Sequence, residues 1–425
     1  QQPLENSVVY EMNVRQYTPE GTFAAAQKQL PRLKDLGIDI VWLMPIHPIG
    51  VEGRKGTLGS YYAIRNYTEI NPEFGTMKDF ENFLAEAHRL GLRVVIDCVA
   101  NHTSPDAVWT TERAPQWYER DSSGKTTYTA DWSDTANLNY DNKDVWQGMA
   151  DAMRFWMEKG IDGFRCDMAC EVPLEFWQET IAGLRADYPQ MYWLAEGEEP
   201  KLHTLSGFNA SYSWELHHMM NDIAQGKKSI PELLAYLEKD AQRHPASANA
   251  FRLMFTSNHD ENSWAGTEFE RMGDAHKAFA ALTFVLPKSQ PLIYTGQEIG
   301  LNRRLQFFEK DSVVELVDLE YGKEYRDFYK ALCAFRHNNE VLAAGNDVAP
   351  IVYVEGAPET VLAFTREKGD NKVLCVFNFS AEATKLTITG EAADEYYCTC
   401  CDATKEFKAG DVVELEPWGF MLLSK

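Results

Sequence analysis

Short apolar runs alternate with amphipathic stretches through the first three quarters of this 425-residue chain. The stretches between the runs, such as FENFLAEAHRLGLR and VWQGMADAMRFWMEKGI, carry apolar residues at three- and four-residue spacing, as crossover helices do. Each run followed by a helix therefore predicts one βα unit of a parallel sheet. The strand-like runs are VVYEM, IDIVWLMP, RVVIDCVAN, GFRCDM, MYWLAEGE, LMFTSNHD and PLIYTGQE.

A weaker segment, ASYSWEL at 210–216, supplies the missing sixth strand and brings the number of strands to eight. Eight βα units predict an α/β fold, a closed (β/α)₈ or TIM barrel, formed by residues 1–102 and 143–344. The polar, tryptophan-containing stretch 103–142 follows the third strand and is predicted to be a short inserted domain that shapes a cleft. From 345 to 425, short alternating strands separated by Gly, Asp and Asn predict a C-terminal antiparallel β-sandwich.

The charge and hydropathy of the chain argue against some classes of binding partner. The chain has 41 Lys and Arg against 64 Asp and Glu, a net charge of −23, which opposes binding to nucleic acid and to anionic membranes. A neutral substrate is the simplest partner, although the acidic balance can equally be a solubility feature. No apolar run approaches the ~18 residues of a membrane-spanning helix. The start, QQPLENSVVYEM, has no initiator Met and no signal pattern, so we expect a removed leader or a trimmed chain, and an extracellular or periplasmic location. We also expect a monomer.

The eight cysteines do not form the pattern of a disulfide framework. Cys98, Cys166 and Cys170 lie in or just after apolar runs and are predicted to be small buried residues. Cys398, Cys400 and Cys401 form a cluster in a strand-like region without a neighbouring histidine. A metal site is not favoured there, because thiolate sites usually bring a second pair of ligands.

Four of the apolar runs end in acid, and in a barrel the carboxyl ends of the strands share one mouth. Asp167 and Glu196 lie one βα unit apart, so neighbouring strands should bring their carboxyl groups face to face. A retaining glycosidase requires two carboxyl groups about 5–5.5 Å apart, one ionised and one protonated. Any single acid could instead cap a helix, but independent caps would not also bring basic side chains to the same rim. The acids are Asp97, Asp167, Glu196 and Asp260, and the basic side chains are Arg165, His102 and His259.

The two central acids are expected to differ in pKa. Arg165 precedes Asp167 by two residues on the same strand and should hold that carboxylate in its ionised form. Glu196 follows the apolar residues WLA, and this apolar environment should raise the pKa of Glu196.

The segments that carry these residues resemble, in order, the signatures of glycoside hydrolase family 13, the α-amylase family. The resemblance runs over nearly the whole chain, because the closing PWGFMLL is similar to the last strand of the family's C-terminal domain. The four signature segments are DCVANH at 97–102, GFRCD at 163–167, LAEG at 194–197 and SNHD at 257–260, and GSYYAIRNY at 59–67 resembles the segment with a stacking tyrosine.

The resemblance implies double displacement at an α-1,4-glucosidic bond of starch or maltooligosaccharides, with no cofactor needed for the chemistry. Asp167 would be the nucleophile, Glu196 the acid and then the base, and Asp260 the stabiliser of the transition state. The implied substrate-binding residues are Tyr62, Asp97, His102, Arg165 and His259. Four tryptophans lie in the predicted rim loops, and one or two are expected at sugar subsites: Trp109, Trp117, Trp132 and Trp264.

The chain departs from the family pattern after the nucleophile. Many α-amylases continue with Lys-His, whereas Met168, Ala169, Cys170 and Glu171 follow here, so contacts on the leaving-group side are open. Asn101 resembles a calcium-ligand asparagine, which makes structural calcium an expectation, although its usual partners cannot be assigned in a short insert.

Several alternatives stay open at this point. Within the family they are an α-glucosidase, a neopullulanase-like enzyme or a transglycosylase, which differ in loop shape rather than chemistry. Outside it, a non-catalytic carbohydrate-binding barrel would tolerate loss of the acids. A metal-dependent barrel hydrolase would instead use His102, His259 and the acids as ligands.

Overall fold

A computed structural model describes residues 1–425 and contains a closed barrel of eight parallel strands. Each strand pairs with its neighbours in chain order, and the last strand pairs with the first. The predicted (β/α)₈ barrel is therefore confirmed, including the weak sixth strand. The strands are β1 (Val9–Met12), β2 (Ile40–Leu43), β3 (Arg93–Cys98), β4 (Gly163–Cys166), β5 (Tyr192–Ala195), β6 (Ala210–Tyr212), β7 (Phe251–Met254) and β8 (Ser289–Tyr294).

Helices surround the barrel and follow the predicted crossover stretches. Thr76 and Asp79 form a capping box at the start of Met77–Arg89, and Asn142 caps Lys143–Lys159, which ends at Gly160 with φ 102°. None of the helices combines the length and the apolarity that crossing a membrane requires. The α-helices are Val14–Tyr17, Phe23–Gln27, Leu30–Leu36, Met77–Arg89, Trp109–Glu112, Lys143–Lys159, Leu174–Asp187, Lys201–Thr204, Trp214–Ala224, Ile230–Arg243, Glu268–Met272, His276–Leu282 and Glu320–Asn338.

Alternate residues of the barrel strands fill its interior. Val95 of β3, Leu194 of β5 and Leu253 of β7 belong to one buried cluster inside the barrel. The intervening residues, such as Val94 and Ile96, belong to the larger cluster that joins the strands to the helices. This period of two means that a polar residue placed two positions beyond an inward apolar residue also points inward, at the barrel mouth.

The stretch after β3 contains little regular structure. His102–Thr103 pairs with Ala136–Asn137 in a two-stranded antiparallel sheet, and the helix Trp109–Glu112 lies between them. The excursion thus returns to the barrel mouth close to where it leaves β3.

The C-terminal region is an antiparallel domain, as predicted. Its strands are β9 (Val352–Tyr353), β10 (Val361–Lys368), β11 (Asn371–Asn378), β12 (Thr384–Thr387), β13 (Glu395–Cys398), β14 (Ala403–Glu406), β15 (Val412–Leu415) and β16 (Phe420–Ser424). Six strands form one sheet in the order β9-β10-β11-β16-β13-β14, and β12 pairs with β15 in a second sheet. Leu386 of β12 and Leu415 of β15 share a buried cluster with residues of the larger sheet, so the two sheets pack face to face.

Aromatic stacking and a buried arginine join this domain to the barrel. Phe279, from a barrel helix, stacks on Phe379 with ring centroids 4.4 Å apart and an interplanar angle of 6°. The Arg366 Nη1 of β10 donates to the main-chain carbonyl of Val285 at 2.9 Å. The interface is therefore apolar and specific, as in domains that do not move independently.

We predict that Phe379→Ala lowers the free energy of unfolding by about 3–5 kcal/mol, because a buried ring is lost and a cavity remains. Chemical denaturation followed by tryptophan fluorescence measures the change. Val412→Ala is the matched control, since Val412 is 56% exposed, and it should alter stability by less than about 0.5 kcal/mol. Equal stability of the two variants would show that the stack does not hold the domains together.

Candidate active site

A buried guanidinium organises the acids at the barrel mouth. The Arg165 Nη1 donates to Asp97 Oδ1 at 3.1 Å and to Asp167 Oδ1 at 2.8 Å. Its Nη2 lies 3.4 Å from Glu196 Oε2, and its Nε donates to the hydroxyl of Tyr212 at 3.0 Å. The Arg165 side chain has no solvent exposure. One cation therefore contacts carboxylates from three neighbouring strand ends.

The strand register explains why these side chains meet. Asp97 of β3 is the pairing partner of Arg165 on β4, and Cys166 pairs with Ala195 at the end of β5. Asp167 and Glu196 come directly after these strands, one position beyond that pair. The period that places Val95 and Leu194 inside the barrel thus also directs Asp97 and Glu196 inward.

A tight turn fixes Asp167 and Glu196 relative to each other. Their amides donate to the carbonyls of Cys98 and Cys166, each at 3.0 Å, which continues the sheet by one more step. Met168 adopts a left-handed conformation, φ 45° and ψ 46°, and its amide donates to Glu196 Oε1 at 2.9 Å. Left-handed backbone is unusual for a side chain of this size and often occurs at functional sites.

Burial controls the pKa values of both acids. Burial raises the pKa of Asp167 to about 6, against the lowering influence of Arg165. Burial likewise raises the pKa of Glu196 to about 7, and the charges of Asp167 and Asp260 add to the rise. Arg165 acts in the expected direction although burial outweighs it, and a pKa of about 6 still leaves the Asp167 carboxylate mainly ionised at neutral pH. The order of the two groups still leaves Glu196 as the weaker acid.

Asp97 lies beneath the cleft and not in its lining. It is 1% exposed, and its Oδ2 accepts from the Tyr62 hydroxyl at 2.8 Å and from Trp42 Nε1 at 3.2 Å. The assignment of Asp97 to direct substrate binding is therefore corrected, because its position in the register is one layer deeper than Asp167. Asp97 positions Arg165 and Tyr62. Arg165 is enclosed in the same way and acts on the cleft through the carboxylates.

His259 connects Asp260 to an acid that the sequence analysis missed. Its Nδ1 donates to Glu11, the fully buried carboxylate of β1, and its Nε2 lies 3.5 Å from Asp260 Oδ2. Burial lowers the pKa of His259, but Asp260 and Glu11 outweigh burial and raise the pKa to about 9. The imidazole is therefore a cation at neutral pH. The Asp260 side chain is 43% exposed and faces the cleft.

His102 is held as a neutral ring on the opposite wall. Burial lowers the pKa of His102 to about 4, although Asp134 acts in the raising direction. Because the Asn101 Nδ2 donates to His102 Nδ1 at 3.1 Å, the ring proton is assigned to Nε2. His102 lines the cleft and can donate this proton to a hydroxyl.

The surroundings of Asn101 do not fit a carboxylate-rich calcium site. Its Nδ2 donates to His102, and its main-chain carbonyl accepts from Leu138 N at 3.2 Å, which leaves Oδ1 as the side-chain oxygen that a cation could use. Calcium takes six to eight oxygen ligands, commonly with several carboxylates. No three Asp, Glu, His or Cys side chains converge beside Asn101. We derive no step through a calcium ion.

The barrel-mouth acids are also arranged unlike a metal centre. For Asp97, Asp167 and Glu196 the positive charge comes from Arg165, which contacts all three carboxylates. A second cation at that point would be repelled by the guanidinium, and the two histidines are bound to Asn101 and Glu11. The geometry thus disfavours the metal-dependent hydrolase considered above.

An open cleft of about 860 Å³ lies above these groups. The catalytic candidates Asp167, Glu196 and Asp260 lie along it, with Tyr62, Trp132 and Trp264 exposing aromatic rings to it. Trp264 is 60% exposed, as expected for a ring that stacks on a bound sugar. Trp109 and Trp117 instead pack against each other in the core, with ring centroids 5.2 Å apart.

Two further aromatic residues of the cleft were not predicted. Phe307 and Phe308, from the loop after β8, line the cleft and pack against Trp264 with centroids 5.7 and 5.8 Å away. Phe307 also lies parallel to Tyr62, at 6.4 Å and 20°. The run RLQFFEK carries no strand or helix period, so only its place after the last strand could have indicated a role.

Main-chain contacts hold the cleft walls together. The Lys55 Nζ donates to the carbonyl of Asp131 in the insert at 2.9 Å and lies 3.8 Å from Asp134 Oδ1. Three residues later, Leu58 N donates to the carbonyl of Phe308 at 3.0 Å. The loop after β2 therefore bridges the insert on one side and the loop after β8 on the other.

The residues after the nucleophile form the remaining wall. Met168, Cys170 and Glu171 line the cleft beside Glu196. The expectation that Cys170 is buried was wrong, because the short turn Ala169–Glu171 follows β4 at the mouth and leaves the thiol exposed. The wall thus carries one apolar, one thiol and one acidic side chain.

Family comparisons agree with this geometry. The family model described as the catalytic domain of alpha amylase matches residues 10–133 and 112–320. A model described as the maltogenic amylase C-terminal domain matches residues 352–422. Together the two matches cover the barrel, the insert and the C-terminal sheets.

Solved structures with a similar sequence have the same architecture. An α-amylase from Lactobacillus plantarum is 31% identical with a TM-score of 0.86, and the match covers 99% of both chains. A noncanonic maltogenic α-amylase from Thermotoga neapolitana is 29% identical with a TM-score of 0.87, again over 99% of both chains.

Curated relatives are longer than this chain. The alpha-amylase MalA of Haloarcula japonica is 29% identical over 401 residues, which are 90% of this chain and 56% of that protein. The α-1,4-glucan:maltose-1-phosphate maltosyltransferase of Rhodospirillum rubrum is 32% identical over 266 residues, which are 56% of this chain and 37% of that protein. The matched family models, the barrel and the order of its acids together establish that the chain belongs to glycoside hydrolase family 13, the α-amylase family.

Proposed function

We propose that this protein hydrolyses α-1,4-glucosidic bonds of starch or maltooligosaccharides with retention of anomeric configuration. The observation that carries the proposal is the pair Asp167 and Glu196, which come from adjacent strands and share contacts with Arg165 at the base of an open cleft. Two carboxyl groups held by one guanidinium are close neighbours, as the retaining mechanism requires.

Asp167 is the proposed nucleophile. With a pKa of about 6, its carboxylate is mostly ionised at neutral pH, and Arg165 binds only its Oδ1 at 2.8 Å. The other oxygen can attack the anomeric carbon while the bond to the leaving oxygen breaks. The product of this step is a glycosyl ester of Asp167.

Glu196 is the proposed acid and base. With a pKa of about 7 it retains a substantial protonated fraction at neutral pH, and it can give that proton to the departing glucosidic oxygen. The resulting carboxylate can then take a proton from the water that hydrolyses the ester. Attack by water from the face of the departed sugar restores the α configuration.

Asp260 and the histidines are proposed to bind sugar hydroxyls of the transition state. Asp260 offers a partly exposed carboxylate beside the cationic His259, and the neutral His102 offers an N–H from the other wall. Contacts that strengthen as the ring flattens accelerate the reaction, whereas equally strong contacts to substrate would not. Tyr62, stacked on His259 at 5.2 Å, provides a face for the cleaved sugar.

Transfer to a second sugar is the competing outcome at the same intermediate. Relatives named as maltosyltransferases share about a third of their residues with this chain over the matched region. The run from Met168 to Glu171 beside Glu196 lacks the Lys-His of many family members. The exposed ring of Trp264 can stack on an acceptor sugar. We propose hydrolysis as the main reaction, with the transfer fraction rising with acceptor concentration.

We expect the first product released from maltoheptaose to be the α-anomer, because two displacements preserve configuration. Proton NMR within the first minutes resolves the anomers before mutarotation mixes them, and chromatography of the same samples gives the chain lengths and any transfer products. Asp167→Asn, which changes charge with little change in volume, is the control for contaminating activity. Initial release of the β-anomer would contradict the proposed mechanism.

We expect kcat/KM to follow a bell-shaped pH profile with apparent pKa values near 6 and 7. Activity should rise with pH as Asp167 loses its proton and should fall with further increase as Glu196 loses its own. Glu196→Gln, assayed on an aryl maltoside whose leaving group needs no proton, should keep the acidic limb and lose the alkaline one. An unchanged alkaline limb in this variant would exclude Glu196 as the acid.

A further inference from the structure

Three cysteines far from the barrel mouth converge at one hairpin of the C-terminal domain. Cys398 is the last residue of β13, where it pairs with Ala403 of β14, and Cys400 and Cys401 lie in the connecting turn. The sulfur atoms of Cys398 and Cys400 are 3.3 Å apart, and those of Cys400 and Cys401 are 3.7 Å apart. All three sulfur atoms lie within 4.8 Å of one another.

One side of the cysteine cluster is buried in the C-terminal domain, and the other side is exposed to solvent. Cys398 is 2% exposed and belongs to the buried cluster between the two sheets, whereas Cys400 and Cys401 are exposed. The turn is tight, with Asp402 in a left-handed conformation at φ 47°. One sulfur is therefore anchored in the core, and two reach it from the surface.

The short distances between the sulfur atoms bring three ligand atoms to one point. A cation that binds all three sulfur atoms would replace the protons of the thiols.

The residues around the three cysteines offer few metal ligands other than sulfur. Residues 341–425 contain no histidine, and the carboxylate of Asp402 is bound by the hydroxyl of Tyr397. Thiolate ligands suit Cu(I), zinc and iron–sulfur clusters, but structural zinc sites almost always have four ligands. Three sulfur atoms without a fourth ligand therefore favour Cu(I). The site has no second ligand pair, the feature that the sequence analysis required for a metal site.

We propose that Cys398, Cys400 and Cys401 bind one soft metal ion, Cu(I), through three thiolate sulfurs. Binding forms three sulfur–metal bonds and releases the thiol protons that remain, so affinity should fall as pH decreases. The ion would tie the hairpin turn to the sheet and stabilise the C-terminal domain by binding only the folded chain. The site is separate from the glucan cleft and does not depend on the proposed function.

The test is competition for Cu(I) under argon between the fully reduced protein, residues 1–425, and a chromogenic Cu(I) chelator. We expect the wild type to withdraw one equivalent of Cu(I) and the double variant C400S/C401S to withdraw none. Both substituted residues are exposed, so the buried Cys398 and the fold are kept. Cys170→Ser removes the other exposed thiol and should retain the full equivalent.

The readouts separate the outcomes. An ultraviolet sulfur-to-metal absorption band and a rise in Tm on adding Cu(I) should occur in the wild type and in Cys170→Ser, and should be lost in the double variant. The proposal is overturned if the double variant keeps its equivalent of Cu(I), or if the wild type takes none. It is also overturned if Zn(II) is held more tightly in a parallel titration, or if mass spectrometry shows that the cluster closes to a disulfide instead.

Discussion

The contact on which the site depends is the buried ion cluster of Arg165 with three carboxylates. Burying a guanidinium away from solvent costs free energy unless the group is fully paired. Burying the neighbouring carboxylates would likewise cost free energy without the guanidinium. Because arginine stays protonated across the working range, the cluster keeps a fixed positive charge while Asp167 and Glu196 change protonation. The same residue thus offsets the burial of the acids and limits how far burial raises their pKa values.

This cluster is placed by the barrel and not by local sequence. The interior below it is apolar, formed by alternate residues of seven of the eight strands. Charge appears only in the last inward layer and just beyond the strand ends, where Glu11, Asp97 and Arg165 replace the aliphatic pattern. A break in an otherwise consistent pattern is typical of functional sites, and here it coincides with the left-handed Met168.

The fold could be predicted from the sequence because strand and helix periods are local, and the acids because they follow those strands. The depth of each acid in the barrel could not be predicted from the sequence. Asp97 and Asp167 both end an apolar run, yet the strand register places Asp97 one layer lower, below the cleft. Glu11 was missed because Met12 follows it and the run does not end in acid. Loop packing decides that Phe307 and Phe308 line the cleft, and which of the four tryptophans lie in the cleft or in the core. Loops have no periodic sequence pattern from which this packing could be predicted.

The central claim is that Asp167 becomes covalently bonded to sugar. A ring-fluorinated maltosyl fluoride should inactivate the enzyme and add the mass of one fluoromaltosyl group. The ring fluorine slows both steps, but the fluoride leaving group keeps the first step fast enough for the intermediate to accumulate. Peptide mass spectrometry should locate this mass on Asp167, and Asp167→Asn should remain unlabelled. Labelling of Asp97, Glu196 or Asp260, or inactivation without a covalent adduct, would contradict the account.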